Sequence, residues 1–295
     1  MPLKYKLLRI LGNFISAFFR NKQTRQKIRG YFGGNAWKEI KRSARLSKCG
    51  NFSIKNVNGQ KIAESDEVNL GFIFDGDSIL IAEEIFRDHE YSFDINADCV
   101  VIDIGMNIGY ASLYFAMMPA VLKVYGFEPF KPTYKQAIFN FSLNNSLSEK
   151  IEAFNFGLGD QEKTLDLDYY SKSPGQMSTV KSTFDIHPNR KGETILETAE
   201  IKDASSQISE IISRHANSKI VLKCDTEGSE KEIFENLHKN GILDRIDCIM
   251  LEYHFSYDKP VIEILKKNGF NYFNQHIITL DTGDFGMIRA MKSCN

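Results

Sequence analysis

At 295 residues the chain is more than twice the ~100–150-residue size at which domains are commonest, and 42% of its residues are apolar, 12% aromatic and 25% charged. That usage excludes a fibre, a small stapled module and a chain disordered throughout. The net charge of −1 hides a split: residues 1–48 hold 13 Lys and Arg against one acid, Glu39, and the remainder holds 24 basic and 37 acidic side chains. The N-terminal segment therefore reads either as a solvated helical face or as one that meets something negative: an anionic membrane surface, nucleic acid, or the acidic body of the chain.

Leu3, Leu7, Leu8, Leu11, Phe14, Ile15 and Phe18 recur at near-helical spacing among Lys4, Lys6 and Arg9, which predicts an amphipathic helix over residues 3–20. It is too short to span a bilayer, and the basic run after it is unlike a signal peptide's cleavage region. Residues 1–29 thus read as a basic amphipathic segment, with peripheral membrane contact through residues 3–29 as the expectation. Residues 30–97 read as an N-terminal cap: a helix over Trp37–Leu46, a turn-rich stretch over Gly50–Asn58, a strand over Val68–Phe74, and a helix over Ile81–Phe93 with Ile81, Ile85 and Phe86 inward. Cys49, Cys99, Cys224, Cys248 and Cys294 are scattered with no C-x-x-C, against a disulfide framework or structural zinc and in favour of a reducing cytoplasm.

From residue 98 the pattern changes to short apolar runs alternating with helical segments, the signature of an α/β sheet with parallel crossovers. Strands are predicted at Cys99–Ile104, Lys123–Glu128, Ile151–Gly157, Ile220–Asp225 and Ile246–Glu252. Helices fall near Gly109–Met118, Pro132–Asn144, Ser205–His215, Ser229–Lys239 and Pro260–Asn268, and a closing hairpin follows over Phe270–Ile278 and Gly286–Ala290. The expectation is a doubly wound domain over residues 98–295 with a lid-like insertion at about 171–192.

Three motifs carry the chemistry. VVIDIGMNIGY (Val100–Tyr110) ends an apolar strand in Asp103-x-Gly105-x-x-x-Gly109 and enters a helix; its glycines admit a ligand to the carboxyl edge of the sheet. An acid there repels a diphosphate and attracts an ammonium or sulfonium ion. VYGFEPF sets Glu128 at the next strand's end, where an acid accepts hydrogen bonds from the ribose hydroxyls of an adenosine cofactor. IVLKCDTEGSE brings Asp225 and Glu227 to another strand end, two carboxylates that are costly there unless they meet a cation, a metal or a substrate hydroxyl. Glu230 reads as a first-turn acid favoured by the helix dipole.

With EEIFRDHEYSF, GLGD and IMLEYH, these motifs in this order resemble the FkbM-type S-adenosylmethionine-dependent methyltransferases of class I methyltransferase fold, across Ile81 to Ile288. The resemblance implies a seven-stranded, mostly parallel Rossmann-like sheet and S-adenosylmethionine as cofactor. Asp103, Gly105 and Asn107, with Gly109 completing the motif, would hold its methionine end, Glu128 its ribose, and Asn155, Phe156 and Gly157 would flank its adenine. Asp225, Glu227 and Gly228 would border methyl transfer. Asp225 and His254 are the general-base candidates, His254 because the acid Glu252 two residues earlier could orient it. No metal is assigned, although Asp225, Glu227, Glu252 and His254 leave a divalent ion as an alternative.

The reading is an O-methyltransferase acting on a sugar, a surface glycan or a small secondary metabolite, with Trp37, Tyr169, Tyr170, Tyr253 and Tyr257 available to stack on sugar faces. A nucleic-acid methyltransferase draws only on the basic N-terminus and lacks an N-P-P-Y-like motif. A nicotinamide oxidoreductase lacks G-x-G-x-x-G, and a non-catalytic cofactor-binding or membrane-associated protein is the remaining alternative.

Overall fold

A computed structural model describes residues 35–74, 78–170 and 194–292. The expectations for residues 3–29, the insertion at 171–192 and the side chain of Trp37 lie outside the described residues. The chain divides into two compact units, one of residues 1–70 and 74–87, the other of residues 71–73 and 88–295. Among the described residues no helix is long and apolar enough to cross a membrane.

The first unit holds α1 (Asn35–Leu46) and the antiparallel strands β1 (Ser53–Val57) and β2 (Gln60–Ser65). Here the turn-rich reading of Gly50–Asn58 is corrected. Asn58 and Gly59 both take positive φ (51° and 84°), as the two central residues of a tight primed turn must, and so they pair the flanking segments into a hairpin. Strand β3 (Leu70–Ile73) follows, its last three residues belonging to the second unit, and then α2 (Ser78–Ala82), which continues as a π-helical turn over Glu83–Arg87. The helix expected over Ile81–Phe93 therefore stops at Arg87. Ile85 and Phe86 are buried as expected, Ile81 only partly, and Glu83 is buried where Arg45 and Arg87 both pair with it.

The second unit is built on a seven-stranded sheet in the order β12-β13-β11-β10-β4-β5-β6. In chain order its elements are β4 (Cys99–Ile104), α3 (Tyr110–Met117), β5 (Val121–Phe127), α4 (Lys131–Ser142), α5 (Asn145–Ser148) and β6 (Ile151–Phe154). After a small second sheet come α6 (Ala204–Arg214), β10 (Lys219–Cys224), α7 (Glu230–Lys239), β11 (Cys248–Tyr253), α8 (Asp258–Lys267), β12 (Phe270–Leu280) and β13 (Gly283–Lys292). Strands β6, β5, β4, β10 and β11 pair in parallel, and β13 is antiparallel to both β11 and β12. All six residues of β4 and five of six in β10 are buried, as expected of central parallel strands covered on both faces. The chain winds outward through β5 and β6 and returns to lay β10 beside β4, so the sheet's switch point lies between those two strands.

The strand expected over Ile151–Gly157 ends at Phe154. Residues 157–159 instead form β7, which joins β8 (Lys163–Tyr170) and β9 (Thr194–Asp203) in a separate sheet of order β7-β9-β8. In β8 the alternation of Leu165, Leu167 and Tyr169 with acids is a period-2 signal, and Leu167 and Tyr169 pack with Phe130 and Ala199.

Two buried asparagines secure Gly71–Ile73 to the second unit. Asn140 accepts from the N–H of Ile73 (2.7 Å) and donates to Ile108 O (2.8 Å). Asn144 accepts from the N–H of Gly71 (2.8 Å) and donates to the carbonyls of Gly71 (2.6 Å) and Asn140 (2.7 Å). Side-chain amides here satisfy backbone groups as a strand neighbour would. Replacing Asn144 with Ala leaves several of them without a partner, and chemical denaturation should show a loss of about 2–4 kcal/mol.

Candidate active site

The carboxyl ends of β4, β5 and β10 open onto a cleft lined by Gly105, Asn107, Glu128, Gly157, Asp225 and Glu227 together with the apolar Phe130, Leu158 and Ile201. Six residues expected from the sequence thus meet in one place. Asp103, Gly109, Asn155, Phe156 and His254 stand behind this lining.

Asp103 is fully buried. Its Oδ2 accepts from Ser112 Oγ at 2.6 Å, and its Oδ1 lies 3.1 Å from Nζ of Lys223. The two residues are in register on the adjacent strands β4 and β10. The cation facing Asp103 is therefore part of the chain. Lys223 Nζ also donates to Gly105 O at 2.6 Å and approaches Asp225 Oδ2 at 3.8 Å. Burial works against the ammonium form, but Asp103 and Asp225 outweigh it and raise Lys223 above its ordinary range.

Gly105 takes φ of +74°, and a Cβ there would stand 1.8 Å from the carbonyl oxygen of Asp225. The motif's first glycine is thus required by backbone packing across the switch point as well as by access to the cleft. Gly109 serves packing: a Cβ on it would meet Phe141 at 2.5 Å. Asn107 takes positive φ (52°), and its side chain accepts from the N–H of Ile108 at 2.7 Å, a local bond of the kind that lets asparagine hold this conformation.

Glu128 is 5% exposed. One carboxylate oxygen accepts from the N–H of Asn107 (3.1 Å) and the other from the N–H of Phe130 (2.9 Å). Burial pushes its carboxyl up to about 7, the backbone donors partly restraining the shift. Asn155 holds the turn below by donating to the carbonyls of Glu128 (3.0 Å) and Pro129 (3.2 Å). Phe156 packs in the core against Phe127 and Phe154, ring centroids 5.5 and 5.4 Å away. Of the expected adenine-side group, only Gly157 lines the cleft.

Glu230 has a larger part than a first-turn acid. Its buried Oε1 accepts from Thr226 N (3.0 Å), Thr226 Oγ1 (2.9 Å) and Gly228 N (2.9 Å), and faces Nδ1 of His254 at 3.1 Å. One carboxylate thus shapes the whole Asp225–Gly228 turn, in which Glu227 takes positive φ (55°), a conformation that costs a non-glycine residue of order 1 kcal/mol. Burial opposes ionisation of Glu230, yet His254 and the backbone donors outweigh it and keep its carboxyl below the usual range.

His254 is 4% exposed, and its Nε2 lies 3.4 Å from Glu227 Oε2. Burial disfavours its charged form, but Glu230, Glu227 and Glu252 together raise it well above the ordinary histidine value. Glu252 is itself pushed well up, by burial first and then by Asp225. The hydroxyl of Tyr91 bridges Asp225 Oδ2 (3.2 Å) and Glu252 Oε2 (3.5 Å).

Sequence reasoning missed Lys223, Tyr91 and the apolar wall. Lys223 left a signal, being a lone cation inside the apolar run IVLKC. Removing it in Lys223→Met strands Asp103 as a buried charge and should cost about 3–5 kcal/mol in chemical denaturation. Adding Asp103→Asn should recover much of the loss, and a purely additive double variant would show that the two do not couple.

Residues 103–272, more than half of the chain, match the family described as Methyltransferase FkbM domain. The chain is 26% identical to Methyltransferase sdnD of Sordaria araneosa over 261 residues, covering 80% of this chain and 98% of that one. It is 29% identical to Methyltransferase 1 of Beauveria bassiana over 183 residues, covering 58% and 72%. Among solved structures it is similar to Methyltransferase FkbM from Methylobacillus flagellatus, with 14% identity, a TM-score of 0.42 and 88% and 60% of the two chains covered. It is also similar to a putative tRNA (m1A22) methyltransferase of Streptococcus pneumoniae in complex with S-adenosyl-L-methionine, with 12% identity, a TM-score of 0.37 and 66% and 67% covered.

Proposed function

The chain belongs to the FkbM methyltransferase family, and from that premise we propose that it moves a methyl group from S-adenosylmethionine to a hydroxyl of a small molecule, a sugar or a secondary metabolite. The cofactor is S-adenosylmethionine and the reaction is methyl transfer. When bound, the cofactor supplies an electrophilic methyl on a sulfonium. The residues present fit it: Gly105 leaves bare backbone at the cleft, Glu128 offers a buried acceptor, and Phe130, Leu158 and Ile201 provide an apolar wall.

In this reading Glu128 accepts from the ribose hydroxyls, the backbone of Gly105 and Asn107 borders the methionine end, and the apolar wall with Gly157 takes the adenine. Asp103 acts through Lys223 and Gly105, holding the turn and touching no ligand. The observation that carries the choice of a hydroxyl acceptor is the pair Asp225 and Glu227 on the cleft, whose negative charge favours departure of a hydroxyl proton and repels phosphate. That repulsion sets a nucleic-acid acceptor aside. His254 stands behind the lining with its two ring nitrogens facing Glu230 and Glu227, so Asp225 rather than His254 is the group beside the acceptor. Tyr169 and Tyr253 are buried and present no face to a sugar, so stacking on a long glycan gains no support from them. Among the described residues four free, buried cysteines suit a reducing cytoplasm, and the basic segment 3–29 suits peripheral contact with an anionic membrane face.

The test is calorimetric titration with S-adenosylmethionine and, separately, NADH, followed by detection of labelled methyl on a panel of hydroxyl-bearing sugars and metabolites. Binding of the former alone and an O-methyl product are expected; label found only on nitrogen or on RNA overturns the hydroxyl assignment. Asp225→Asn should lower turnover by roughly 10²–10⁴-fold with an unchanged circular dichroism spectrum, and full activity would remove Asp225 from the mechanism.

Glu128 gives a pH prediction. The ionised carboxylate is the better acceptor for ribose, so affinity for S-adenosylmethionine should fall as pH drops through about 7, approaching tenfold per pH unit below it, and Glu128→Gln should flatten that slope. In the ligand-free chain the sign reverses. The folded state holds the proton more tightly than the unfolded one, so stability declines as pH rises from the ordinary carboxylate range through about 7.

A further inference from the structure

We propose that Asp225, Glu227 and Nε2 of His254 bind one divalent transition-metal ion of the Mn²⁺ type at the floor of the cleft, where the ion holds and acidifies the acceptor hydroxyl. This deepens the methyltransferase reading and rests on it for the role of the ion, though the binding itself does not. Each of the three residues offers a ligand atom, and these atoms lie within 4.8 Å of one another. An ion bonded at roughly 2.0–2.2 Å separates its ligand atoms by about 3–4.4 Å, a range in which Glu227 Oε2 and His254 Nε2 already stand, 3.4 Å apart.

The second observation is the direction of the histidine. His254 is nine-tenths buried, and its Nδ1 faces Glu230 Oε1 at 3.1 Å. That bond leaves Nε2 on the opposite side of the ring, aimed at Glu227 Oε2, 3.4 Å away. A carboxylate behind a histidine whose other nitrogen faces a pair of carboxylates is the arrangement that orients metal-ligating imidazoles. Glu230 is in turn fixed by Thr226 and Gly228, so the ring is positioned before any ion arrives.

Charge and access agree. Asp225, Glu227 and Glu230 gather around one imidazole, while Lys223, 3.8 Å from Asp225, has its closer partners in Asp103 and Gly105 O. Asp225 and Glu227 are 26% and 19% exposed and line the cleft, with His254 beneath them. The remaining coordination positions of the ion therefore face the cleft. Two carboxylate oxygens with one imidazole nitrogen suit Mn²⁺ better than Mg²⁺, which takes oxygen and water, or than structural zinc, which favours sulfur and nitrogen.

In the reaction the acceptor oxygen coordinates the ion and releases its proton to water. It then forms the new O–C bond as the methyl's bond to sulfur breaks, and that bond's electron pair stays on sulfur, cancelling the sulfonium charge. No oxidant or reductant is needed.

The experiment titrates MnCl₂ into the chelator-treated full chain, without cofactor or acceptor, and follows free Mn²⁺ by electron paramagnetic resonance. One Mn²⁺ per chain is expected, weakened at least tenfold in both Asp225→Asn and Glu227→Gln and unchanged in the surface variant Glu263→Gln. A chain shown to be folded by circular dichroism that binds no Mn²⁺ at millimolar concentration overturns the proposal, as does binding that both carboxylate variants retain. Parallel calorimetry with S-adenosylmethionine in chelator separates the two readings. Cofactor binding without Mn²⁺ binding removes the ion alone; Mn²⁺ binding without cofactor binding keeps the site and removes the methyltransferase role.

Discussion

A buried ion pair across the two central strands organises the rest of the second unit. Asp103 on β4 and Lys223 on β10 stand in register at the switch point, 3.1 Å apart and almost wholly out of water. Either charge alone would cost several kcal/mol in that environment. Together they bind the halves of the sheet at the place where the backbone must be most exact, since Gly105 passes so close to the Asp225 carbonyl that no side chain fits between them. Lys223 completes the junction by donating to Gly105 O and approaching Asp225. A cationic lysine at this point also lets the cleft carry acids that would otherwise repel one another.

Glu230 does for the acidic turn what Lys223 does for the glycine turn. Its single oxygen gathers the backbone of Thr226 and Gly228 and faces the ring of His254, and in doing so holds Glu227 in a left-handed conformation that local preference would not choose. The outcome is a concentration of negative charge in a cleft that also carries an apolar wall. A cofactor whose methyl rides on a cation suits such a site, and an acceptor that must lose a proton suits it equally. The substitutions that damage this arrangement most are therefore those of Lys223 and Glu230, neither of which lines the cleft.

Much of this was legible in the residues. The central strands are continuous apolar runs bounded by glycine or acid, so their positions followed from periodicity to within a residue or two, and Gly105, Glu128, Asp225 and Glu227 announced themselves by ending strands. What was not legible was direction. Whether Asp103 looks into the cleft or into the protein depends on Lys223, 120 positions later in the chain, and only the strand register shows that they meet. The same holds for His254, whose partner Glu230 lies on a different element from the Glu252 that sequence proximity suggested. The helix predicted through Phe93 stops early because its apolar stripe ends at Phe86, and His89 takes a positive φ (52°) that a helix interior does not hold. The hairpin of β1 and β2 was hidden because Asn58-Gly59 marks a turn without revealing that strands flank it.

The most direct measurement is a crystal structure of the chain with S-adenosylhomocysteine. It should show both ribose hydroxyls donating to Glu128, the adenine between Gly157 and the apolar wall, and Asp103 still paired with Lys223 and out of contact with the ligand. A ribose away from Glu128, or a ligand amino group bonded directly to Asp103 in place of Lys223, would contradict the organisation of the site around the buried pair.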